Sequence, residues 1–181
     1  MKSNSFQIAL SGISCAIAVV CLLIGFFVPF SLGFGYIFAM VALMLPLAKN
    51  YYLGGALAYV GTCILAISLG AAAKFWDLVP FIIFFGLHPF VNSLQLKFNI
   101  NVWIAFIVKV IWFDLTLVAT SYIVFHGAFG GSLLPENVLK VLNDFVFLFI
   151  AVGGTLFFLL YDRFVFRTQA FVTAIVNRIK K

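Results

Sequence analysis

Ile8–Val28 reads IALSGISCAIAVVCLLIGFFV, twenty-one residues without one charged side chain. A bilayer core asks for about 20 consecutive apolar residues of a helix, and this run supplies them. A secretory leader is the alternative, since Lys2 and a short polar stretch precede the run. The run is too long for a leader core and carries no convincing cleavage site, so it is read as a first membrane span.

The rest of the chain repeats the pattern. Of 181 residues, 65% are hydrophobic and 9% charged, where soluble domains carry about 25% charged residues. The 24 Phe include uninterrupted stretches such as Phe81-Ile82-Ile83-Phe84-Phe85. A water-soluble fold of this length could not cover so much apolar surface. Breaks at Gly, Pro and polar residues divide the chain into six spans, expected at 8–28, 34–48, 51–69, 78–96, 102–125 and 138–161. Residues 162–181 follow as a weakly amphipathic cytoplasmic tail, which can extend the last helix along the inner surface. The expected architecture is all-α, one transmembrane domain over 1–181 with six helices.

Charge sets the orientation. With the N-terminus inside, Lys2, Lys49, Lys97, Arg163, Arg167, Arg178, Lys180 and Lys181 fall on the inner side, and only Lys74 and Lys140 outside. Basic residues favour the cytoplasmic side, so both termini are expected in the cytoplasm of a bacterial plasma membrane. The net charge of +6 does not point to nucleic acid, because no basic stripe is interleaved with exposed aromatics. Arg178, Lys180 and Lys181 fit a membrane-surface anchor.

Little in the chain supports catalysis. Cys15, Cys21 and Cys63 lie inside apolar runs without metal-ligand spacing and read as packing residues. No GxxxxGK[ST] loop, HExxH helix or GxSxG turn occurs, and His88 and His126 fall on opposite halves. No metal, cofactor or enzymatic activity is expected. Energy for uphill movement would come from an ion gradient or from a partner.

Three groups of residues stand out. On the first span, Ser11/Cys15, Gly12/Ala16 and Ser14/Ala18 are small-xxx-small pairs, which let a second helix approach closely in lipid. They serve either packing within the bundle or docking of another membrane subunit. His88, Asn92, Lys109 and Asp114 are polar groups at membrane depth, where such groups face protein or water. Lys109 and Asp114 point about 140° apart on a helix and are not a simple pair. A hairpin about Phe98 instead brings Lys109 to the depth of His88 and Asn92, as a structural cluster or a ligand contact. At the outer helix ends, Tyr36, Lys74, Trp76, Asp77, Tyr122, His126 and Asn143, with Asp144, could line an aromatic bundle mouth suited to a small ligand. Interfacial anchoring explains Trp and Tyr there equally well.

The segment Ala9-Leu-Ser-Gly-Ile-Ser-Cys-Ala16, the block Phe81-Ile-Ile-Phe-Phe-Gly-Leu-His-Pro-Phe90 with Asn92, and a fifth span holding Lys109 and Asp114 carry a resemblance. Over residues 8 to 165 the chain resembles the substrate-binding S-components of energy-coupling factor (ECF) vitamin transporters. One group of these has an FFGLYP signature, where this chain has His88 in place of Tyr. The resemblance implies an outward vitamin site and partnership with an EcfT-like membrane scaffold and two cytoplasmic ATPases that hydrolyse ATP. It also implies toppling of the S-component to deliver its cargo, and it makes Gly12 and Ala16 the docking residues. Signatures of the thiamine, riboflavin, biotin, folate and pantothenate members are absent. Elimination and the sparsely charged outer face favour cobalamin. Two rivals remain: an ion-coupled carrier with Asp114 as coupling acid, and a membrane scaffold without a small ligand.

Overall fold

In the computed structural model, residues 2–28, 30–70, 75–122, 145 and 150–178 are described, and every regular element among them is helical. These are α1 (Lys2–Phe27), α2 (Leu32–Leu47), α3 (Tyr52–Ser68), α4 (Phe75–Pro80), α5 (His88–Lys97), α6 (Val102–Tyr122) and α7 (Thr155–Arg178). Single π-helical segments occur at Phe81–Phe85 and Ile150–Gly154. Among the described residues, three stretches are long and apolar enough to cross a membrane: Ser5–Phe27, Phe75–Lys97 and Val102–Tyr122. Two shorter apolar helices, Leu32–Leu47 and Tyr52–Ser68, complete the set. Lys74, His126, Asn143, Lys140 and the first part of the sixth expected span lie outside the described residues.

Two compact units divide the chain: residues 1–99 with 164–181, and residues 100–163.

In the first unit α1 and α2 form the most extensive helix pair, and small residues explain why. A Cβ on Gly35 would sit 2.9 Å from both the Gly25 Cα and the Cys21 carbonyl oxygen, so the two backbones meet where neither residue has a side chain. The Ser14 hydroxyl donates to the Ala42 carbonyl at 2.6 Å, spending its polarity inside the contact. Ala18, Leu22 and Phe26 of α1 join Ala39 and Leu43 of α2, Ala58 and Ala66 of α3, and Leu78 and Phe81 in one core.

Turns follow residue chemistry. Asn50 and Asn99 adopt φ of 55° and 49°, just past the ends of α2 and α5. Asn tolerates this left-handed region better than other side chains with a Cβ.

The outward faces invert the pattern of a water-soluble helix. Ile13, Ile17, Val20 and Ile24 recur every three or four residues along α1, and all are exposed. Leu53, Leu57, Val60 and Ile64 do the same on α3. Soluble helices turn such a stripe inward. Here the inner face of α1 combines Ser14, Ala18, Val19, Leu22 and Phe26, and a full stripe of branched aliphatics still points out.

The fourth expected span is broken in its middle. Pro89, at the second position of α5, lacks the N–H that would continue the ladder, and its ring crowds the carbonyl four residues back. The chain widens into a π turn, and Gly86 N–H reaches back five residues to the Phe81 carbonyl at 2.8 Å.

The last helix extends into the expected tail, and it differs from that expectation in burying one of its faces. The boundary drawn at Tyr161 falls inside α7, which runs unbroken from Thr155 to Arg178. Asp162, Val165, Gln169, Val172 and Val176 are all buried, at spacings of three and four. Residues 162–178 therefore pack one stripe against protein. Asp162 had marked the end of a span because it is charged. Its charge is paired inside the protein, and the helix carries on.

In the second unit α6 packs on the first part of α7 through aromatic rings. Phe113 lies 5.4 Å from Phe158 and 6.0 Å from Phe157, and Phe106 lies 5.8 Å from Phe158.

Candidate functional site

At the Tyr36 end of the first unit, α2 and α4 bring two expected ligand residues together. The Tyr36 hydroxyl donates to the Asp77 backbone carbonyl. Its ring stacks on Phe85 at 5.2 Å. Asp77 is half-buried in the first turn of α4. Trp76 beside it is 45% exposed and meets Phe75 edge-on at 5.6 Å. Tyr122, at the end of α6, belongs to the second unit and is exposed.

A second tyrosine, missed in the sequence, holds the π turn. Tyr59 of α3 donates to the Ile82 carbonyl at 2.6 Å. A Cβ on Gly86 would lie 2.6 Å from the Tyr59 ring, so the glycine of the FFGLHP block is there to admit that ring. The widened turn loosens the carbonyl ladder and Tyr59 satisfies one of its acceptors. Such turns recur at functional sites. A Tyr on α3 about seven residues beyond the helix start was the available signal, but nothing in its own surroundings marks its partner.

Three of the four polar residues expected at membrane depth, Asn92, Lys109 and Asp114, find partners on α7. His88 and Asn92 lie one turn apart on α5 and are fully buried, with the His88 ring 5.1 Å from Phe84. Asn92 Nδ2 donates to Gln169 Oε1 at 2.8 Å, and Gln169 Nε2 donates to Ser93 Oγ at 2.5 Å. In the second unit Lys109 Nζ pairs with Asp162 Oδ1 at 2.5 Å. Thr155 Oγ1 approaches Asp114 Oδ2 at 3.5 Å. Lys109 and Asp114 thus take separate partners, as their angular separation on the helix requires. Asp162 and Gln169 fall in the tail expected along the inner surface, where the sequence offers no reason to pair them with Lys109 or Asn92. Their seven-residue spacing, with Val165, Val172 and Val176 between and beyond, is the periodic signal that could have found them.

Among the described residues of the first unit, two hollows stand out. One, of about 1130 Å³, opens beside the α2–α3 turn, the end of α5 and the end of α7, with Lys49, Lys97, Ser93 and Gln169 in its lining. The other is a shallow groove of about 270 Å³ beside Gly12, Cys15, Tyr51 and Leu57. Gly12 and Ala16 are both exposed, and a Cβ on Gly12 would meet nothing within 4 Å. Ser14 and Ala18 are buried. The small-residue pairs of α1 therefore divide between two faces: Ser14 and Ala18 pack within the bundle, and Gly12 and Ala16 lie open.

No family model, curated protein or solved structure matches this chain. Chemistry must be read from the side chains alone. Among the described residues no cluster of three His, Cys, Asp or Glu could hold a metal ion. What the first unit offers is recognition: aromatic rings, amide groups and a hydroxyl at its Tyr36 end and in its interior, and ammonium groups at the opposite end.

Proposed function

We propose that this chain is an integral membrane protein of six spans with both ends cytoplasmic. We propose further that it acts as the substrate-binding subunit of an ECF-type vitamin importer, with cobalamin as favoured cargo. The observation that carries this reading is the division of α1. Ser14 and Ala18 are spent against α2, while Gly12 and Ala16 stay open beside a shallow groove. An open small-residue face in lipid suits close approach by another membrane helix. Here that helix would belong to an EcfT-like scaffold carrying two ATPases.

Bilayer placement is supported by the apolar outward faces of α1 and α3, since exposed apolar surface on this scale marks contact with lipid or another chain. Orientation is supported by the basic residues. Lys49, Lys97 and Arg178 close the same end of the first unit, where Lys49 bonds Asn177. Ligand capture at the opposite end of the first unit would draw on Tyr36, Trp76 and Asp77. ATP hydrolysis belongs to the partners in this scheme.

Incubation of the purified chain with cobalamin, removal of excess, and an absorption spectrum test the cargo. Retained colour is the expected result, and a colourless protein removes cobalamin. Co-purification with two ATPases tests the class. Gly12→Leu or Ala16→Leu should abolish vitamin uptake in cells while leaving vitamin binding intact. Loss of binding would count against an outward docking face.

One observation favours a second reading, an ion-coupled carrier. Asp114 Oδ1 is buried and has no hydrogen-bond partner among the described residues. That reading expects transport by the isolated chain in vesicles, abolished by Asp114→Asn and by uncouplers. The importer subunit alone should transport nothing.

A further inference from the structure

The hollow of about 1130 Å³ at the Lys49 end is lined by residues of the first unit. Its mouth carries two cations. Lys49, from the α2–α3 turn, donates to Asn177 Oδ1 at 2.6 Å. Lys97, at the end of α5, sits 4.7 Å above the Tyr52 ring. Neither has a carboxylate partner among the described residues. The sequence explains this: residues 1–99 and 164–181 contain one acidic side chain, Asp77. Asp77 opens α4, twenty residues before Lys97, which puts it about 30 Å away along the helical path. Among the described residues, this end of the unit has positive charge and no acidic side chain to balance it.

Depth and lining say more. Gln169 lies eight residues before Asn177 on α7, so the hollow runs about 12 Å into the helical body. Its floor is polar, because Ser93 and Gln169 are bonded to each other there and both are more than nine-tenths buried. Its walls include Leu96 and Phe166. Cations at the mouth, apolar walls and a hydroxyl–amide floor match an amphiphile that enters from the membrane with an anionic head. A free anion would leave the walls uncovered, and a zwitterionic head would bring its own cation to the lysines.

We propose that this hollow is a site for an anionic glycerophospholipid, its phosphate between the Lys49 and Lys97 ammonium groups and its first acyl carbons against Leu96 and Phe166. Basic pockets between membrane helices hold anionic heads in this manner. The site depends on the bilayer reading and is independent of any vitamin or ATPase partner.

The test uses the full chain, delipidated in neutral detergent. Dioleoylphosphatidylglycerol should remain bound in native mass spectra and raise the melting temperature, while dioleoylphosphatidylcholine at equal concentration should do neither. K49Q/K97Q should weaken phosphatidylglycerol binding about thirtyfold at low salt, from the attraction typical of two lysines. K49R/K97R should keep the binding. Ala174→Trp, which retains both lysines and fills the hollow, should lose it. Equal retention of the choline lipid, or unchanged affinity in K49Q/K97Q, overturns the proposal. So does an equal melting shift from free glycerol 3-phosphate, which would make the ligand a soluble anion. A bound mass that is a polypeptide would likewise assign the hollow to a protein partner.

Discussion

Removing the Lys109 ammonium should be among the most costly single changes to this protein. Lys109 is 1% exposed and its Nζ stands 2.5 Å from Asp162 Oδ1, with the Asp162 side chain 11% exposed. At an effective dielectric of 20, two unit charges at that distance attract by about 7 kcal/mol, a gross figure opposed by several kcal/mol of lost hydration per ion. The intact pair therefore contributes little net stability, but each half depends on the other. Lys109→Met should cost about 3–5 kcal/mol, and Asp162→Leu a similar amount, because each leaves a buried charge deprived of its counter-ion. Lys109→Met with Asp162→Leu should return to within about 2 kcal/mol of the parent, since matched apolar replacement of a buried pair is often close to neutral. The assay is reversible unfolding of the detergent-solubilised chain by sodium dodecyl sulfate, followed by tryptophan fluorescence over the full double-mutant cycle. Additive costs in the double variant, or single costs below about 1 kcal/mol, would refute the reasoning.

Two further stability predictions use the same assay. Gly35→Ala should destabilise by about 1–3 kcal/mol, because the new Cβ meets backbone atoms of α1 that cannot yield without parting the helices. Gly33→Ala, where a Cβ would meet nothing within 4 Å, should stay within about 0.5 kcal/mol of the parent. Equal effects at the two glycines would mean that the α1–α2 contact is looser than described. Gln169→Leu removes the acceptor of Asn92 and the donor to Ser93 at once. A loss of about 1–3 kcal/mol is expected, and a neutral result would place those bonds outside the folding unit.

Much of the helical layout was legible from composition and breaks. Helix ends near Val28, Ala48, Leu69 and Leu96 are marked by Gly, Pro, Asn or Lys. The structure puts α1, α2, α3 and α5 to an end within a residue or so of these positions. Such boundaries are local: a residue that lacks an N–H, or that tolerates positive φ, acts on its own turn. The small residues of α1 were also visible, because their spacing is a property of one helix.

Assigning those small residues to partners was beyond a single helix. Gly25 and Gly35 stand in different helices, and only their apposition makes either one essential. The FFGLHP block shows the same limit. Its glycine is needed because Tyr59 fills the space beside it, and Tyr59 lies 27 positions away.

From its order of residues alone the chain declares itself helical and too apolar to be covered by water. That follows from how many hydrocarbon side chains stand next to one another, a quantity that requires no coordinates. Which face of α1 stays open, where Lys109 finds its counter-charge, and that two lysines border a hollow without an acid, were decided by how the helices meet. Attraction between charges and exclusion between backbones depend on distance in space, and distance along the chain does not set it.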